Sequence, residues 1–255
     1  MKIVILTQSD PFYLAANIRY LLNNLPSHTK VTATILFKVS PFGRRESFLN
    51  KAKRTVKIFG LRFFVFYGVK FILYKLVPGN SVKSVLNKQG VPIINLEKDI
   101  NHPASLNVLK KYEPDLLISI AGNQIFKQEL IDLAPNGCLN LHTALLPKYR
   151  GLMPSFWVLK NNEKETGVSV FFVDKGIDSG PILVQKHLPI DEGMTQAELI
   201  RKSKRLGMNA ILEAIQLIHL GNYTLIGNSD EDSTYFTFPT REDVLDFYNL
   251  RKRFY

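Results

Sequence analysis

The clearest indication of the fold is the passage DLLISIAGNQIFKQELIDLAPNGCLNLHT, residues 115–143. A buried-type apolar run comes first, a short helical segment follows it, and the turn Pro135-Asn136-Gly137 leads into a second apolar run. A strand, a helix and a strand in this order predict two parallel strands in one sheet. The second strand carries Asn140 and His142 near its end, and the two-residue spacing places both side chains on one side of it.

The same alternation of strands and helices extends towards the N-terminus. Apolar strand patterns occupy residues 2–7, 31–38 and 91–96, and helical spacing occupies residues 11–25, 81–90 and 104–114. This order predicts an α/β protein whose mainly parallel sheet has helices on both faces. A chain of 255 residues is long enough to form such a domain with a substantial core.

The net charge of +11 is concentrated in one part of the chain. Residues 38–75 hold ten Lys or Arg and a single acidic residue, Glu46. We expect two basic helices there, residues 44–60 and 61–77, the second strongly apolar but interrupted by charges and therefore short of a membrane-spanning helix. Two interpretations stay open: a helix pair that covers a sheet edge with solvated lysines, or a surface that contacts anionic lipid or attracts a phosphorylated substrate.

Several functional classes are disfavoured by what the sequence contains. The first strand-to-helix turn, LTQSDPFYL at residues 6–14, has no glycine, so the dinucleotide-binding fingerprint is absent. Thr7, Ser9 or the backbone N–H groups at the start of the helix could bind an anion, or the turn could simply cap the helix. The single cysteine, Cys138, excludes an internal disulfide and is expected to be a small apolar filler. The apolar run at the N-terminus is too short for a secretory signal, so we expect a cytoplasmic protein, either free or in contact with a membrane surface.

Four motifs occur together between residues 113 and 190. They are PDL at 114–116, N-x-H-x-x-L-L-P-x-Y-R-G at 140–151, E-T-G-V-S-V at 165–170 and D-x-G-I-D-S-G-P-I-L at 174–183. In this combination the passage resembles the folate-dependent formyltransferases, the family of glycinamide ribonucleotide, methionyl-tRNA and amino-sugar formyltransferases. The resemblance implies a Rossmann-like formyltransferase fold with the site at the strand ends and a cis Leu146-Pro147 bond.

The resemblance also implies a catalytic trio of Asn140, His142 and Asp178. In the family an amine attacks the formyl carbon of 10-formyltetrahydrofolate, and negative charge develops on the carbonyl oxygen. N–H groups of Asn140 and of a protonated His142 would stabilise that oxygen. Asp178 would orient the imidazole and accept, directly or through water, the proton that the amine loses.

Folate contacts are implied for two further segments. In the family the pterin is held largely by backbone groups, which map here to Gln124, Ile125 and Phe126 and to Val173, Asp174, Lys175, Gly176 and Ile177. Ile125 and Phe126 could equally be core residues that open a helix. We expect no metal site, since His102, His187 and His219 show no metal-ligand spacing.

The acceptor amine is predicted from what surrounds these motifs. We expect a catalytic domain at residues 1–220, with the basic helical insert at about 40–78, and a short C-terminal extension at 221–255. Methionyl-tRNA formyltransferases carry an additional C-terminal domain, and the extension has too few residues to form it. The glycine-free turn after the first strand departs from the phosphate loop of glycinamide ribonucleotide formyltransferases. An amino sugar linked to a nucleotide or lipid phosphate is therefore the preferred acceptor, with Tyr149 and Arg150 either lining its side of the cleft or structural.

Other functions remain open in the sequence. Methionyl-tRNA is the alternative acceptor, since the basic segment could follow a phosphate backbone. A catalytically silent binding module at a membrane surface is a further alternative, although an intact trio argues against it. A hydrolase of formyltetrahydrofolate is less favoured, because such enzymes carry an N-terminal regulatory domain.

Overall fold

The computed structural model describes residues 1–37, 47–77 and 79–255, which form a three-layer α/β fold. Its strands are β1 Lys2–Gln8, β2 Lys30–Phe37, β3 Ile93–Ile94, β4 Leu116–Ile120, β5 Cys138–His142, β6 Arg150–Gly151, β7 Glu165–Phe172, β8 Ile182–Pro189 and β9 Tyr235–Phe236. Its helices are α1 Leu14–Asn23, α2 Phe48–Phe59, α3 Leu61–Leu76, α4 Val82–Lys88, α5 Pro103–Lys110, α6 Gln128–Ile131, α7 Pro154–Lys160, α8 Gln196–Leu220 and α9 Arg241–Asn249.

Seven strands form the central sheet in the order β3-β2-β1-β4-β5-β7-β8. The first five are parallel to their neighbours, whereas β7 is antiparallel to β5 and β8 is antiparallel to β7. The parallel strands are joined through helices, as parallel connections require, while β7 and β8 are joined by a single loop. The prediction of a mainly parallel sheet is confirmed.

Helices cover both faces of this sheet, as predicted. On one face, apolar residues of α1, α4 and α8 pack against the sheet around Ile5, Ile118 and Leu139. On the other face, α5 and α6 pack around Leu6, Leu117 and Cys138. Burial raises the pKa of the Cys138 thiol to about 12, so this side chain is an inert apolar filler, in agreement with the sequence prediction.

The first helix begins later than its pattern predicts. We expected it from Pro11, but α1 starts at Leu14 because the Asp10 carboxylate accepts the backbone N–H groups of Phe12, Tyr13 and Leu14. These N–H groups are therefore already satisfied by the chain itself. Asp10 therefore caps the start of α1, as the capping interpretation of this turn predicts.

The basic segment forms the two expected helices, α2 and α3, which meet at Gly60 with a φ of +87°. Residues 40–46 and Pro78 of the predicted insert lie outside the described residues. Among the residues that are described, no helix is long and apolar enough to cross a membrane.

The chain after α8 packs against β6 and α7. Its strand β9 pairs with β6, and α9 contributes Val244 and Phe247 to a third core cluster, in which Phe156 and Trp157 of α7 are also buried. Residues 221–255 thus complete the packing around the segment that follows β5.

Candidate active site

His142 ends β5 with its imidazole almost fully buried, and each ring nitrogen has a partner. Its Nε2 lies 2.7 Å from the backbone carbonyl oxygen of Tyr149, and its Nδ1 lies 3.5 Å from Oδ2 of Asp178. A carbonyl oxygen can only accept, so Nε2 carries a proton and donates it to Tyr149. Nδ1 is therefore the nitrogen that faces Asp178, and a separation of 3.5 Å is longer than a direct hydrogen bond.

Asp178 reaches His142 because the loop after β7 folds back along the sheet. The antiparallel register puts Phe172, the last residue of β7, opposite Leu139 near the start of β5. The loop is closed at its base by the Phe172 N–H, which donates to the carbonyl of Pro181. At Asp178 the backbone turns into the left-handed region with a φ of +52°.

The carboxylate of Asp178 is held from the side of β6. Its Oδ2 accepts the backbone N–H of Gly151 at 2.9 Å. Gly151 has a φ of +92°, and a β-carbon there would collide with the carbonyl oxygen of Phe236 on β9. Glycine is needed at this position for both reasons, and its N–H fixes the carboxylate against His142.

Asn140 lies two residues before His142 and is partly exposed. Within the described part of the chain its side-chain amide makes no hydrogen bond, and its backbone stands between Ser119 of β4 and Phe171 of β7. The amide is therefore free to donate to a ligand. An amide donor, an imidazole and a carboxylate on one edge of a sheet can stabilise a carbonyl oxyanion and accept a proton.

The turn after β5 is fixed by a small polar network. The Leu146-Pro147 bond is cis, as expected. Ser169 of β7 donates its hydroxyl to the carbonyl of Ala144 and accepts the N–H of Leu146. Gln185 of β8 donates to the carbonyl of Leu146. These bonds set the path of the chain from His142 to Tyr149.

Tyr149 and Arg150 support this turn from inside the protein. The Tyr149 hydroxyl donates to Glu163 and accepts from Asn161, and burial raises its pKa to about 12. Arg150 donates to Asp230 and to the side chain and carbonyl of Asn228. Of the two interpretations of these residues, the structural one is correct.

Asn228 is a supporting residue that sequence reasoning missed. Its side-chain amide donates to the backbone carbonyls of Asp178 and Gly180, at 2.9 and 2.8 Å. The loop that carries the carboxylate is thus tied to the chain after α8, and Arg150 holds Asn228 in place. Nothing in the local sequence around Asn228 signals this contact, because it spans about fifty positions of the chain.

The two segments predicted to contact folate lie in different surroundings. After β4, Phe126 is buried in the core, whereas Ile125 is 68% exposed. Gln124 accepts the N–H of Ile100 through its side chain. After β7, Asp174 closes its own turn by accepting from Gly176 and Ser179.

In the second segment, Lys175 and Gly176 are exposed, Val173 is partly buried, and Ile177 is 47% exposed. Apolar side chains in both segments are therefore open to a ligand. In the part of the chain that the structure describes, no group of three or more His, Cys, Asp or Glu residues could hold a metal ion.

The fold and this site define an α/β domain with an amide, an imidazole and a carboxylate grouped at the ends of its strands. A family model described as formyl transferase matches residues 78–215, and the chain belongs to that family. Members of this family use 10-formyltetrahydrofolate as the formyl donor.

A curated relative agrees with this assignment. The methionyl-tRNA formyltransferase of Kosmotoga olearia is 36% identical over 171 residues, which is 67% of this chain and 54% of that protein. The chain thus spans about half the length of the curated relatives it matches.

Two solved structures share the fold. Glycinamide ribonucleotide transformylase 1 from Symbiobacterium toebii superposes with a TM-score of 0.62 at 22% sequence identity. The match covers 89% of this chain and 92% of the transformylase chain. The N-formyltransferase from Helicobacter canadensis, in complex with folinic acid and dTDP-3-aminofucose, has a TM-score of 0.57 at 21% identity and covers 95% of this chain and 72% of its own.

Replacing Asn228 with aspartate is expected to lower kcat for formyl transfer about tenfold. The carboxylate cannot donate to the carbonyls of Asp178 and Gly180, and losing two hydrogen bonds of ordinary strength corresponds to about that factor. Because the change displaces the loop that carries Asp178 rather than the proposed ligand contacts, kcat should fall more than KM rises. Steady-state kinetics check this, with Asn24→Asp, an exposed amide at the end of α1, as the control. Equal losses in both variants would contradict the role given to Asn228.

Proposed function

We propose that this chain transfers a formyl group from 10-formyltetrahydrofolate to the amine of an amino sugar carried on a nucleotide or lipid phosphate. The pairing of His142 with Asp178 beside the free amide of Asn140 supports formyl transfer. The choice of substrate rests on Lys70 and Lys204, two cations near Asp10 beyond the end of β1. The reaction is proposed to take place in the cytoplasm, at a membrane surface if the sugar carrier is a lipid.

Each member of the trio has one task in this proposal. The bound donor supplies the formyl carbonyl that the amine attacks. Asn140 donates its amide N–H to the developing oxyanion, and Nδ1 of a protonated His142 donates to the same oxygen. Asp178 keeps the imidazole oriented and accepts the proton that the amine loses. The bond between the formyl carbon and N10 of the donor then breaks, and this proton passes, directly or through water, to N10 of the departing tetrahydrofolate. The Tyr149 carbonyl holds Nε2–H, which prevents the ring from turning away.

The donor is proposed to bind along Gln124, Ile125 and Phe126 and along Val173 to Ile177. The exposed side chains of Ile125 and Ile177 suit an apolar ring system. Backbone groups of both segments would bind the polar edge of the pterin. Asp174 keeps the second segment in shape through its bonds to Gly176 and Ser179.

The acceptor is proposed to bind beyond the carboxyl end of β1, where Lys70 and Lys204 interact with the charge of Asp10. Burial lowers the pKa of Lys204 on α8, and the Asp10 charge opposes this effect. Burial and the nearby Arg201 lower the pKa of Lys70, and Asp10 again opposes them. Partly buried cations bind the phosphates of an anionic carrier strongly, because less water screens them. The aromatic rings of Tyr13 and Tyr67 in the same region suit a base or a sugar face.

A glycinamide ribonucleotide acceptor is disfavoured by the start of α1. The three N–H groups that could bind its phosphate are already bonded to Asp10. Methionyl-tRNA is the second candidate. It is favoured by the names of the curated relatives, 31–36% identical to this chain, and by the basic helices α2 and α3. A silent binding module is the third candidate and predicts no turnover at all.

Assays of formyl transfer to a panel of nucleotide-linked amino sugars and to methionyl-tRNA test this proposal. We expect the highest kcat/KM with a sugar, and a higher value with the tRNA would reject it. Lys204→Met should raise KM for the sugar nucleotide about tenfold, the loss of one charged contact. Lys202→Met, which removes an exposed lysine on the same helix paired with Asp191, should leave KM unchanged. A KM equally insensitive to both changes would move the acceptor site elsewhere.

A further inference from the structure

Helix α3 has one face packed on the protein. Phe63 contacts Phe59 and Phe254 at centroid distances of 4.5 and 5.0 Å, and Tyr67 contacts Phe12 at 5.5 Å. Tyr74 lies on this same side of the helix, two turns after Tyr67. These contacts hold the helix against the molecule along most of its length.

The opposite face of α3 is apolar and open to solvent. Six aliphatic side chains on it are 51–70% exposed: Leu61, Val65, Val69, Ile72, Leu73 and Leu76. Phe66 adjoins them at 38% exposure. Their spacing of three and four residues places them in one continuous stripe, called here the outer face of α3. Scattered exposed apolar residues are ordinary on proteins, but a continuous stripe marks a surface that binds something.

The surroundings of the outer face are strongly cationic. Residues 47–77 contain seven Lys or Arg and no Asp or Glu. Most of these cations are exposed or partly exposed around the two helices. A partner that covers the outer face must therefore carry negative charge close to apolar groups.

A groove with three arginines opens where α3 begins. It has a volume of about 510 Å³, its walls include Phe59, Leu61 and Tyr255, and its cations are Arg62, Arg241 and Arg253. Arg241 and Arg253 are held by bonds to the carbonyls of Ile58 and Gly193. Within the described residues none of the three forms a salt bridge with a carboxylate. We refer to this feature as the arginine groove.

We propose that the outer face of α3 and the arginine groove form a docking surface for an anionic phospholipid bilayer. The aliphatic stripe would enter the boundary between headgroups and acyl chains, and the arginines would bind lipid phosphates. The helix lies in the plane of the membrane in this arrangement. It is about 24 Å long at 1.5 Å per residue, and its inner face stays packed on Phe59 and Phe254.

Charge decides between a bilayer and other occupants. A second copy of the chain would bring the same cations against this surface, so like charges would oppose the contact. A nucleic acid would neutralise the cations but would leave the aliphatic stripe facing a polar phosphate backbone. An anionic bilayer satisfies both the charges and the apolar side chains.

The docking surface lies close to the proposed acceptor site. The inner face of α3 contacts Phe12, and Lys70 lies over the ring of Tyr13, just after β1. A docked protein would therefore hold this edge of the sheet near the lipid headgroups. Membrane binding itself does not depend on the proposed formyl transfer, and the two can fail separately.

Vesicle flotation tests the proposal. We expect the protein to bind vesicles of phosphatidylcholine with phosphatidylglycerol at least about tenfold better than phosphatidylcholine alone, and less well at high salt. The variant Val65→Glu with Ile72→Glu should lose about a hundredfold in binding, because it places two charges inside the stripe. The control, Leu220→Glu with Leu225→Glu, makes the same charge change at exposed leucines elsewhere and should bind nearly as the wild type.

Removing one arginine from the arginine groove tests the proposal independently of the stripe. Arg62→Gln should weaken binding about fivefold, whereas Lys83→Gln, an exposed lysine on α4, should not. Equal binding to both kinds of vesicle, or equal binding by the stripe variant and its control, would overturn the proposal. So would an equilibrium sedimentation result in which the stripe variant turns a dimer into a monomer. Formyl transfer to a soluble sugar nucleotide should be the same in the stripe variant and the wild type.

Discussion

Replacing Asp178 with asparagine is expected to lower kcat for formyl transfer about a thousandfold, within the range for loss of a positioned proton acceptor. The amide matches the carboxylate in size and can still accept the N–H of Gly151, so the loop keeps its path. What it loses is the negative charge beside Nδ1 of His142 and the ability to take a proton from the amine. Measuring tetrahydrofolate release under saturating donor and acceptor checks this result.

The control for this change is Asp191→Asn, which alters an exposed carboxylate paired with Lys202. Its kcat should equal that of the wild type. Thermal unfolding of both variants separates chemistry from stability, since Asp178→Asn should unfold near the wild-type temperature. An Asp178→Asn enzyme with an unchanged kcat would remove the residue from the proton path and leave it a merely structural role.

Replacing Asn140 with alanine is expected to lower kcat by about 10²-fold to 10³-fold, the usual loss for one oxyanion donor. Among the described residues none forms a hydrogen bond with the Asn140 side-chain amide, so the fold should be little affected. Because the interaction forms mainly in the transition state, kcat and kcat/KM should fall together. The control is Asn136→Ala, which changes an exposed amide in the turn before β5.

A second variant sharpens this prediction. Asn140→Asp places a carboxylate where the oxyanion forms, so it should be slower than the alanine variant through repulsion. If the aspartate variant were faster, or if Asn140→Ala raised KM while kcat stayed constant, the residue would bind the ground state rather than the transition state. The role proposed for Asn140 would then be wrong.

Much of the fold follows from short-range patterns. The unit β4-α6-β5 was predictable because two apolar runs flank a helical segment and a Pro-Asn-Gly turn. Asn140 and His142 could be placed on one side of β5 by the alternation of a strand alone. The two basic helices were predictable from their spacing, although the start of α1 was not, because Asp10 captures the N–H groups that a helix would otherwise have left free.

The family motifs predicted candidate residues for the site, and the structure brings His142 and Asp178 together, but the motifs did not predict how these residues are held. The nitrogen of His142 that faces Asp178 is set by the backbone carbonyl of Tyr149, which no side-chain pattern reveals. The contact of Asn228 with the catalytic loop joins residues far apart in the chain, as does the approach of Phe236 to Gly151. Tyr149 and Arg150 were ambiguous in the sequence, and their burial decided that they are structural.

Local patterns in the amino-acid sequence are sufficient to predict the alternation of strands and helices, the position of Asn140 and His142 at a strand end, and the concentration of positive charge in one segment. These depend on neighbours a few residues apart, so periodicity and composition are enough to predict them. Three features became visible only in the folded molecule: Asp178 folds back to His142, residues after α8 hold the loop that carries Asp178, and one face of α3 stays uncovered. Those features depend on contacts between distant parts of the chain, which local patterns do not encode.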